Sequence, residues 1–252
     1  MRTIFITGAA SGMGRAAAER FHHEGWRVGL IDANEEALAK VASELQGSWS
    51  RAVDVCDASA VSAAVDDFVA GVDGHLHVVY NCAGILRTGD FESIDAQTHG
   101  LLIDINVKGV IHVLLACHKA LKNTPGSLVV NMSSASALYG TPEFASYSAS
   151  KFAVRALTEA LDLEWAKDGI QVVDLMPPFV RGPMSDANPS RFAQKMGVNL
   201  EPSDVVNVLH EIVESRQRRL HNPVTLSFKA TVLAQKIVPA AITRQVMRYL
   251  AR

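Results

Sequence analysis

Thr3-Ile4-Phe5-Ile6-Thr7-Gly8-Ala9-Ala10-Ser11-Gly12-Met13-Gly14 is the stretch on which the reading of the fold turns. Its first five residues are β-branched or aromatic and stop at a glycine, the pattern of a short buried strand. Beyond the turn, Ala17, Phe21 and Trp26 mark an amphipathic helix. Gly8, Gly12 and Gly14 let the turn close tightly, and a pyrophosphate can then approach the backbone at the helix N-terminus, where free N–H groups point outward. Ser11 and Met13 share that turn. A second apolar run, 27–31, leads to Asp32. A carboxylate about 20 residues past the glycine turn is placed to accept hydrogen bonds from both hydroxyls of an adenosine ribose and to repel a 2′-phosphate. No Lys or Arg stands at Ser11 or just after Asp32, so the stretch predicts NAD(H) in preference to NADP(H). The competing role for Asp32 is an N-cap of the segment starting near Glu35; strand, glycine turn, helix, strand and acid in this order favour the cofactor role.

Outward from this unit, short apolar runs at 3–7, 27–31, 50–55, 78–81, 128–132, 171–175 and 224–227 alternate with longer segments of helical period. Alternation of this kind predicts an α/β fold, a doubly wound, seven-stranded parallel sheet with helices on both faces. At 252 residues, 48% hydrophobic and 20% charged, the chain suits one domain spanning 1–252. Its halves are a cofactor-binding part at about 1–125 and a catalytic and substrate part at about 126–226, with an amphipathic segment at 227–252. A net charge of −2 gives no general attraction for nucleic acid. Cys56, Cys82 and Cys117 are too few and too scattered for a disulfide framework or zinc site, which points to a reducing compartment. No His-Glu-x-x-His spacing occurs, and no catalytic metal is expected. The N-terminal apolar run breaks at Gly8, short of a signal peptide, and no eighteen consecutive residues are apolar; a cytoplasmic protein without a spanning segment is the expectation.

The chemistry is expected further along, at Asn131-Met132-Ser133-Ser134 and Ser146-Tyr147-Ser148-Ala149-Ser150-Lys151. Phe152, Leu157, Leu161 and Trp165 recur at helical intervals, so Tyr147 and Lys151, four residues apart, share a helix face. A free phenol holds its proton to about pH 10, and a nearby ammonium favours the phenolate and draws that value toward neutrality. Ser134 follows the apolar run 127–131, where a hydroxyl at a strand's carboxyl end is placed to hold a substrate oxygen. Asp54 and Val55 close the third strand, and Asn81-Cys82-Ala83-Gly84 closes the fourth with small residues that suit a backbone passing beneath a ligand. Asn106 stands among Ile103, Ile105, Val107 and Val110 in a helical stretch at 98–121, satisfying a helix carbonyl, bending the helix or serving the site.

With these residues in place the chain resembles the classical short-chain dehydrogenase/reductases. Thr7-Gly8-x-x-x-Gly12-x-Gly14, Asp54, Asn81-x-Ala83-Gly84, Ser134 and Tyr147-x-x-x-Lys151 agree with that family in order and spacing. The resemblance covers roughly the first 185 residues and implies a Rossmann fold and an NAD-dependent oxidoreductase acting on CH–OH groups. It implies that Tyr147 exchanges the proton of the carbonyl or alcohol oxygen, that Lys151 lowers its pKa and binds the nicotinamide ribose, and that Ser134 polarises the substrate oxygen. Asn106 would hold a water on the proton path. Asp54 would face the adenine, Asn81 would bridge strands and touch the adenosine ribose, and Gly84 would line the nicotinamide side, with Pro177 and Val180 also at the cofactor. Dimers or tetramers through the helices around 98–121 and 146–167 are implied too. The chain departs from the family at Pro178, where glycine is usual, and at Gly182, where threonine is usual; the second change predicts a looser grip on the nicotinamide. An enoyl reductase is disfavoured because related ones place more residues between tyrosine and lysine, while a dinucleotide-binding regulator with little turnover is the alternative.

The long loop 176–199, with Phe179, Met184, Phe192 and Met196, and the approach to Tyr147, with Leu138, Tyr139 and Phe144, are apolar. They suit a lipophilic small-molecule substrate touching Leu138, Phe144, Phe179 and Met184 beside Ser134 and Tyr147. No Lys or Arg is firmly placed to read a carboxylate, Arg87 and Arg181 being the candidates. At 228–252, Val232, Leu233, Ile237, Ile242, Val246, Met247 and Leu250 alternate with Lys229, Lys236, Arg244, Arg248 and Arg252 around Pro239. A last helix docked on its own domain or an oligomer interface is the leading reading; peripheral membrane contact or a flap over a neighbouring subunit is the other.

Overall fold

The computed structural model describes residues 1–198, 200–215, 218–235 and 237–250. Lys236 and Arg252 of the basic amphipathic pattern, and Asn199 at the end of the apolar loop, lie outside the described residues. The order is β1 (Thr3–Thr7), α1 (Gly12–His23), β2 (Arg27–Asp32), α2 (Glu35–Glu44), β3 (Trp49–Ala52), α3 (Ala58–Ala70) and β4 (Val78–Asn81). Next come α4 (Ala96–Ile103), a π-helical turn (Asp104–Lys108), α5 (Gly109–Lys122), β5 (Leu128–Met132), α6 (Ala145–Trp165) and β6 (Gln171–Met176). Last are the short α7 (Pro183–Asp186) and α8 (Arg191–Met196), then α9 (Pro202–Glu214), β7 (His221–Pro223), α10 (Leu226–Gln235) and α11 (Ala240–Leu250).

The strands form one parallel sheet in the order β3-β2-β1-β4-β5-β6-β7, the doubly wound Rossmann arrangement. Alternate side chains of β1 serve opposite faces. Ile4 and Ile6 join Phe21, Leu38, Val41 and Leu209 from α1, α2 and α9. Phe5 joins Val61, Phe68, Val113 and Val154 from α3, α5 and α6. A sheet covered on both faces explains why its strands read as continuous apolar runs.

Several boundaries differ from expectation. β3 ends at Ala52, so Asp54 and Val55 lie in the loop beyond it. The last strand is His221–Pro223, not 224–227, and it pairs through polar residues of low β-propensity because β6 offers an open edge and Asp174 a partner for His221 at 2.8 Å. Trp26 follows α1 and packs edge-on against Phe21 at 5.1 Å. Phe152 is exposed, and the inward face of α6 is Ser148, Lys151, Val154, Thr158 and Trp165, because the site needs polar groups there. The run Ala96–Lys122 is long and apolar enough by composition to cross a bilayer, which the count of consecutive apolar residues overlooked. Here Val110, Val113, Leu114, Cys117 and Leu121 of that run are buried in the core.

Candidate active site

The carboxyl ends of the strands open onto a crevice of about 940 Å³, at the upper end of the range for small-molecule and cofactor sites. It spans the point where β1 and β4 become neighbours and the order of the sheet reverses, where ligands of doubly wound folds collect.

At one end the chain leaves β1 through Gly8 (φ 68) and Gly12 (φ 51), in the left-handed region that only glycine enters freely. A Cβ at Gly14 would stand 2.0 Å from the Gly8 carbonyl oxygen, and one at Gly8 would stand 2.9 Å from Ala83 Cα, whereas the space beside Gly12 is open. The Thr7 hydroxyl accepts from the N–H groups of Cys82 (3.1 Å) and Ala83 (2.9 Å) and so ties the exits of β1 and β4 together. Asp32 accepts from the Ala10 N–H at 3.0 Å and the Asn34 N–H at 2.9 Å. The cap of α2 is Asn34, which accepts from Ala37, so Asp32 is free of that role. Ser11, Met13, Asp54, Val55, Ala83, Gly84, Pro177 and Val180 line the same crevice. A close-packed glycine cradle with open space above it and a carboxylate fixed on its rim fits a dinucleotide.

Asn81 is a correction. It is buried below the crevice, and its Nδ2 donates to Asn131 Oδ1 at 2.9 Å, while Asn131 Nδ2 donates to Thr158 at 3.0 Å. The strand bridge is present, but Asn81 is not part of the crevice wall.

At the other end α6 brings Tyr147 and Lys151 beside Ser134 at the exit of β5. Lys151 is buried; its Nζ donates to the Met132 carbonyl at 2.8 Å and lies 5.6 Å from the centroid of the Tyr147 ring. Burial pushes the Tyr147 phenol up to about 12, against the pull of the Ser134 hydroxyl. Burial also brings Lys151 down to about 8. This reverses the expected direction for Tyr147. Withdrawal from water disfavours both charged forms, and the ammonium is directed to a carbonyl. The same burial holds the Cys82 thiol up at about 11, so Cys82 is an inert neighbour.

Asn106 is fully buried in the π-helical turn. It accepts from the Ile85 N–H at 2.8 Å and donates to the Ile85 carbonyl at 2.9 Å and to Ser150 at 3.1 Å. Neither helix carbonyl nor crevice is its partner; it clamps the backbone of Ile85 on both sides, and a Cβ at Gly84 would stand 3.1 Å from its Oδ1.

Over this end Phe144, Phe179 and Phe192 pack together with centroids 5.9 to 6.4 Å apart, and Phe144 also meets Tyr147 at 6.3 Å. Leu138 and Met184 line the wall beside them. Sequence reading missed Glu143. It sits at φ 68, a backbone state that favours glycine. Its carboxylate receives Arg191 Nε at 2.5 Å, its carbonyl receives the Gly89 N–H at 3.0 Å, and Arg191 also reaches Asp90 at 3.4 Å. Three loops around the aromatic cluster are latched there. Burial opposes ionisation of Glu143, but Arg191 outweighs it and holds the carboxyl below its ordinary value. Arg181 pairs with Glu201 at 2.9 Å, and Arg87 donates to the Leu86 carbonyl. Gly182 has φ 146, so threonine is absent from a backbone path that strains any β-branched residue. The mouth is completed by Phe228, Thr231 and Gln235 of α10, by Val238, and by Ile242, Val246 and Met247 of α11. Gln235 donates to the Leu138 carbonyl at 2.6 Å. Among the described residues, no group of three or more His, Cys, Asp or Glu is arranged to hold a metal.

Comparison with known proteins places this geometry. The family described as short chain dehydrogenase matches residues 2–192. Oxidoreductase UcpA of Salmonella typhimurium is 32% identical, over 92% of this chain and 87% of its own. A 3-alpha-(or 20-beta)-hydroxysteroid dehydrogenase of Mycobacterium tuberculosis is 35% identical, over 82% of this chain and 80% of its own. A crystal structure of a short chain dehydrogenase/reductase from Burkholderia phymatum in complex with NAD superposes with a TM-score of 0.83 at 27% identity, covering 92% of each chain.

Proposed function

We propose, starting from the premise that this chain belongs to the short-chain dehydrogenase family of oxidoreductases, that it uses NAD(H) to interconvert a lipophilic secondary alcohol and its ketone. The observation that carries the reading is the convergence, in one crevice, of Ser134, Tyr147 and Lys151 at one end and the glycine cradle with Asp32 at the other.

Gly8, Ser11, Gly12, Met13 and Gly14 would hold the pyrophosphate, Asp32 the adenosine ribose, Asp54 and Val55 the adenine, and Ala83, Gly84, Lys151, Pro177 and Val180 the nicotinamide half. The bound cofactor supplies or accepts the hydride. The Ser134 hydroxyl holds the substrate oxygen. In reduction the Tyr147 phenol donates its proton to that oxygen, and a group protonated up to about pH 12 is in its donor form at neutrality. In oxidation the same oxygen loses its proton to the Tyr147 phenolate, with the Lys151 ammonium nearby to favour that charge. Asn106 keeps the Gly84-Ile85 wall in place and acts as a positioning residue. The aromatic lid and the apolar mouth favour a lipophilic substrate. Leu101, Ile103 and Leu115 of α4 and α5, and Phe152 and Leu163 of α6, are exposed, a face suited to dimers or tetramers.

The test is a panel of hydrophobic alcohols and ketones assayed with NAD(H) and NADP(H) by the absorbance of the reduced nicotinamide, with Tyr147→Phe alongside. An enzyme of this kind turns over with NAD(H) and loses most of its rate in the variant. A dinucleotide-binding regulator shows cofactor binding without turnover and is indifferent to the substitution.

A further inference from the structure

We infer that the α10–α11 segment is an anionic-membrane docking surface at the mouth of the crevice. Charge is divided unevenly along the chain. Residues 215–252 hold eight Lys and Arg and no Asp or Glu, leaving 16 basic against 26 acidic residues in 1–214. The C-terminal stretch therefore carries +8 and the remainder −10.

Each helix also carries an exposed apolar stripe. Phe228, Thr231 and Gln235 of α10 face the crevice. On the opposite side Leu226 and Leu233, with Ile237 just beyond the helix, fall on one line at i, i+7 and i+11 and face solvent. In α11, Ile242, Val246 and Tyr249 share a face at i, i+4 and i+7, and Arg244 and Arg248 project from the other. These six apolar side chains are between 51% and 84% exposed. Lys229, Arg244 and Arg248 make no ion pair among the described residues. Unpaired cations flanking exposed apolar stripes, with a tyrosine near the end, match the interface of a bilayer with acidic headgroups: the stripes enter the acyl boundary and the cations meet the phosphates. A second copy seated on the same face would set Lys229, Arg244 and Arg248 against their own like charges, with no Asp or Glu in 215–252 to offset them, whereas an acidic bilayer meets them with opposite charge.

The consequence builds on the proposed lipophilic substrate. Val238, Ile242, Val246 and Met247 belong to the crevice mouth, so docking would open the site toward the phase in which such a substrate dissolves.

The experiment is sedimentation of the full chain with vesicles of phosphatidylcholine alone and of phosphatidylcholine with phosphatidylglycerol, at low and high salt. Binding is expected to the anionic vesicles and to weaken with salt. Each basic residue near such a surface is worth about fivefold in partition, so Arg244→Gln with Arg248→Gln should lower it roughly 25-fold. Leu233→Ser with Ile237→Ser should lower it as well, and circular dichroism of each variant shows that it is folded. Tyr147→Phe should bind vesicles like the unaltered protein, which separates failure of this inference from failure of the oxidoreductase reading. Absence of binding to anionic vesicles, or binding indifferent to the arginine changes, overturns the proposal. Self-association abolished by those changes, without vesicle binding, assigns the face to a second copy and overturns it too.

Discussion

Replacing Lys151 by methionine isolates the electrostatics of the crevice. The ammonium titrates near 10.5 in an unfolded chain and is brought to about 8 by burial. The folded protein therefore binds fewer protons than the unfolded one between those values, and the contribution of Lys151 to stability rises with pH across that window. At pH 7 the group is charged in both states, and its burial costs about 3 kcal/mol relative to the unfolded chain. By pH 10 it is neutral in the fold, and most of that cost is recovered. Methionine has no such titration, although it leaves the Met132 carbonyl without its donor at every pH. Stability of the native protein relative to Lys151→Met should therefore increase by about 2–3 kcal/mol from pH 7 to pH 10, or roughly 4–12 °C in the difference of the two melting temperatures. Parallel calorimetric scans of the two proteins across that range measure it, and Tyr147 is common to both. A melting difference that stays flat with pH would refute the claim that Lys151 is held in a nearly dry site.

Asn106→Ala leaves the N–H and the carbonyl of half-buried Ile85 without partners, which should cost about 2–3 kcal/mol and about 4–12 °C in thermal melting; an unchanged midpoint would deny the clamp. Asp32→Asn with Ala33→Arg removes the repulsion toward a 2′-phosphate and supplies a cation, so the ratio of kcat/KM for NADPH over NADH should rise by at least about tenfold. A constant ratio would show that Asp32 does not set the preference. Glu143→Gln weakens the tie to Arg191, and the resulting looser lid should raise KM for the ketone about fivefold with kcat and cofactor affinity spared; equal losses in all three would place Glu143 in general structure.

What could be read from the sequence followed how local the cause was. The turn at Gly8, Gly12 and Gly14 is dictated by backbone sterics within a few residues, and Asp32 follows from the length of one helix and one strand. Tyr147 and Lys151 share a face because four residues are about one helical turn. The apolar period in α6 misled, since Phe152 points outward and the inward face carries the polar groups of the site. β7 was misplaced because its pairing is set by β6 and by Asp174, not by its own propensity. The π-helical turn that aims Asn106 at Ile85 and the left-handed Glu143 depend on contacts across 21 and 48 residues, and no local pattern announces them. The upward shift of Tyr147 comes from burial by groups distant in the chain, and a four-residue spacing carries no information about water.

The most direct measurement is turnover of a hydrophobic ketone by Tyr147→Phe, with NADH binding followed in the same preparation by fluorescence. Loss of the phenolic proton should lower kcat by about 10²- to 10⁴-fold while cofactor affinity stays within about twofold. A variant that reduces the ketone at the native rate would contradict the account.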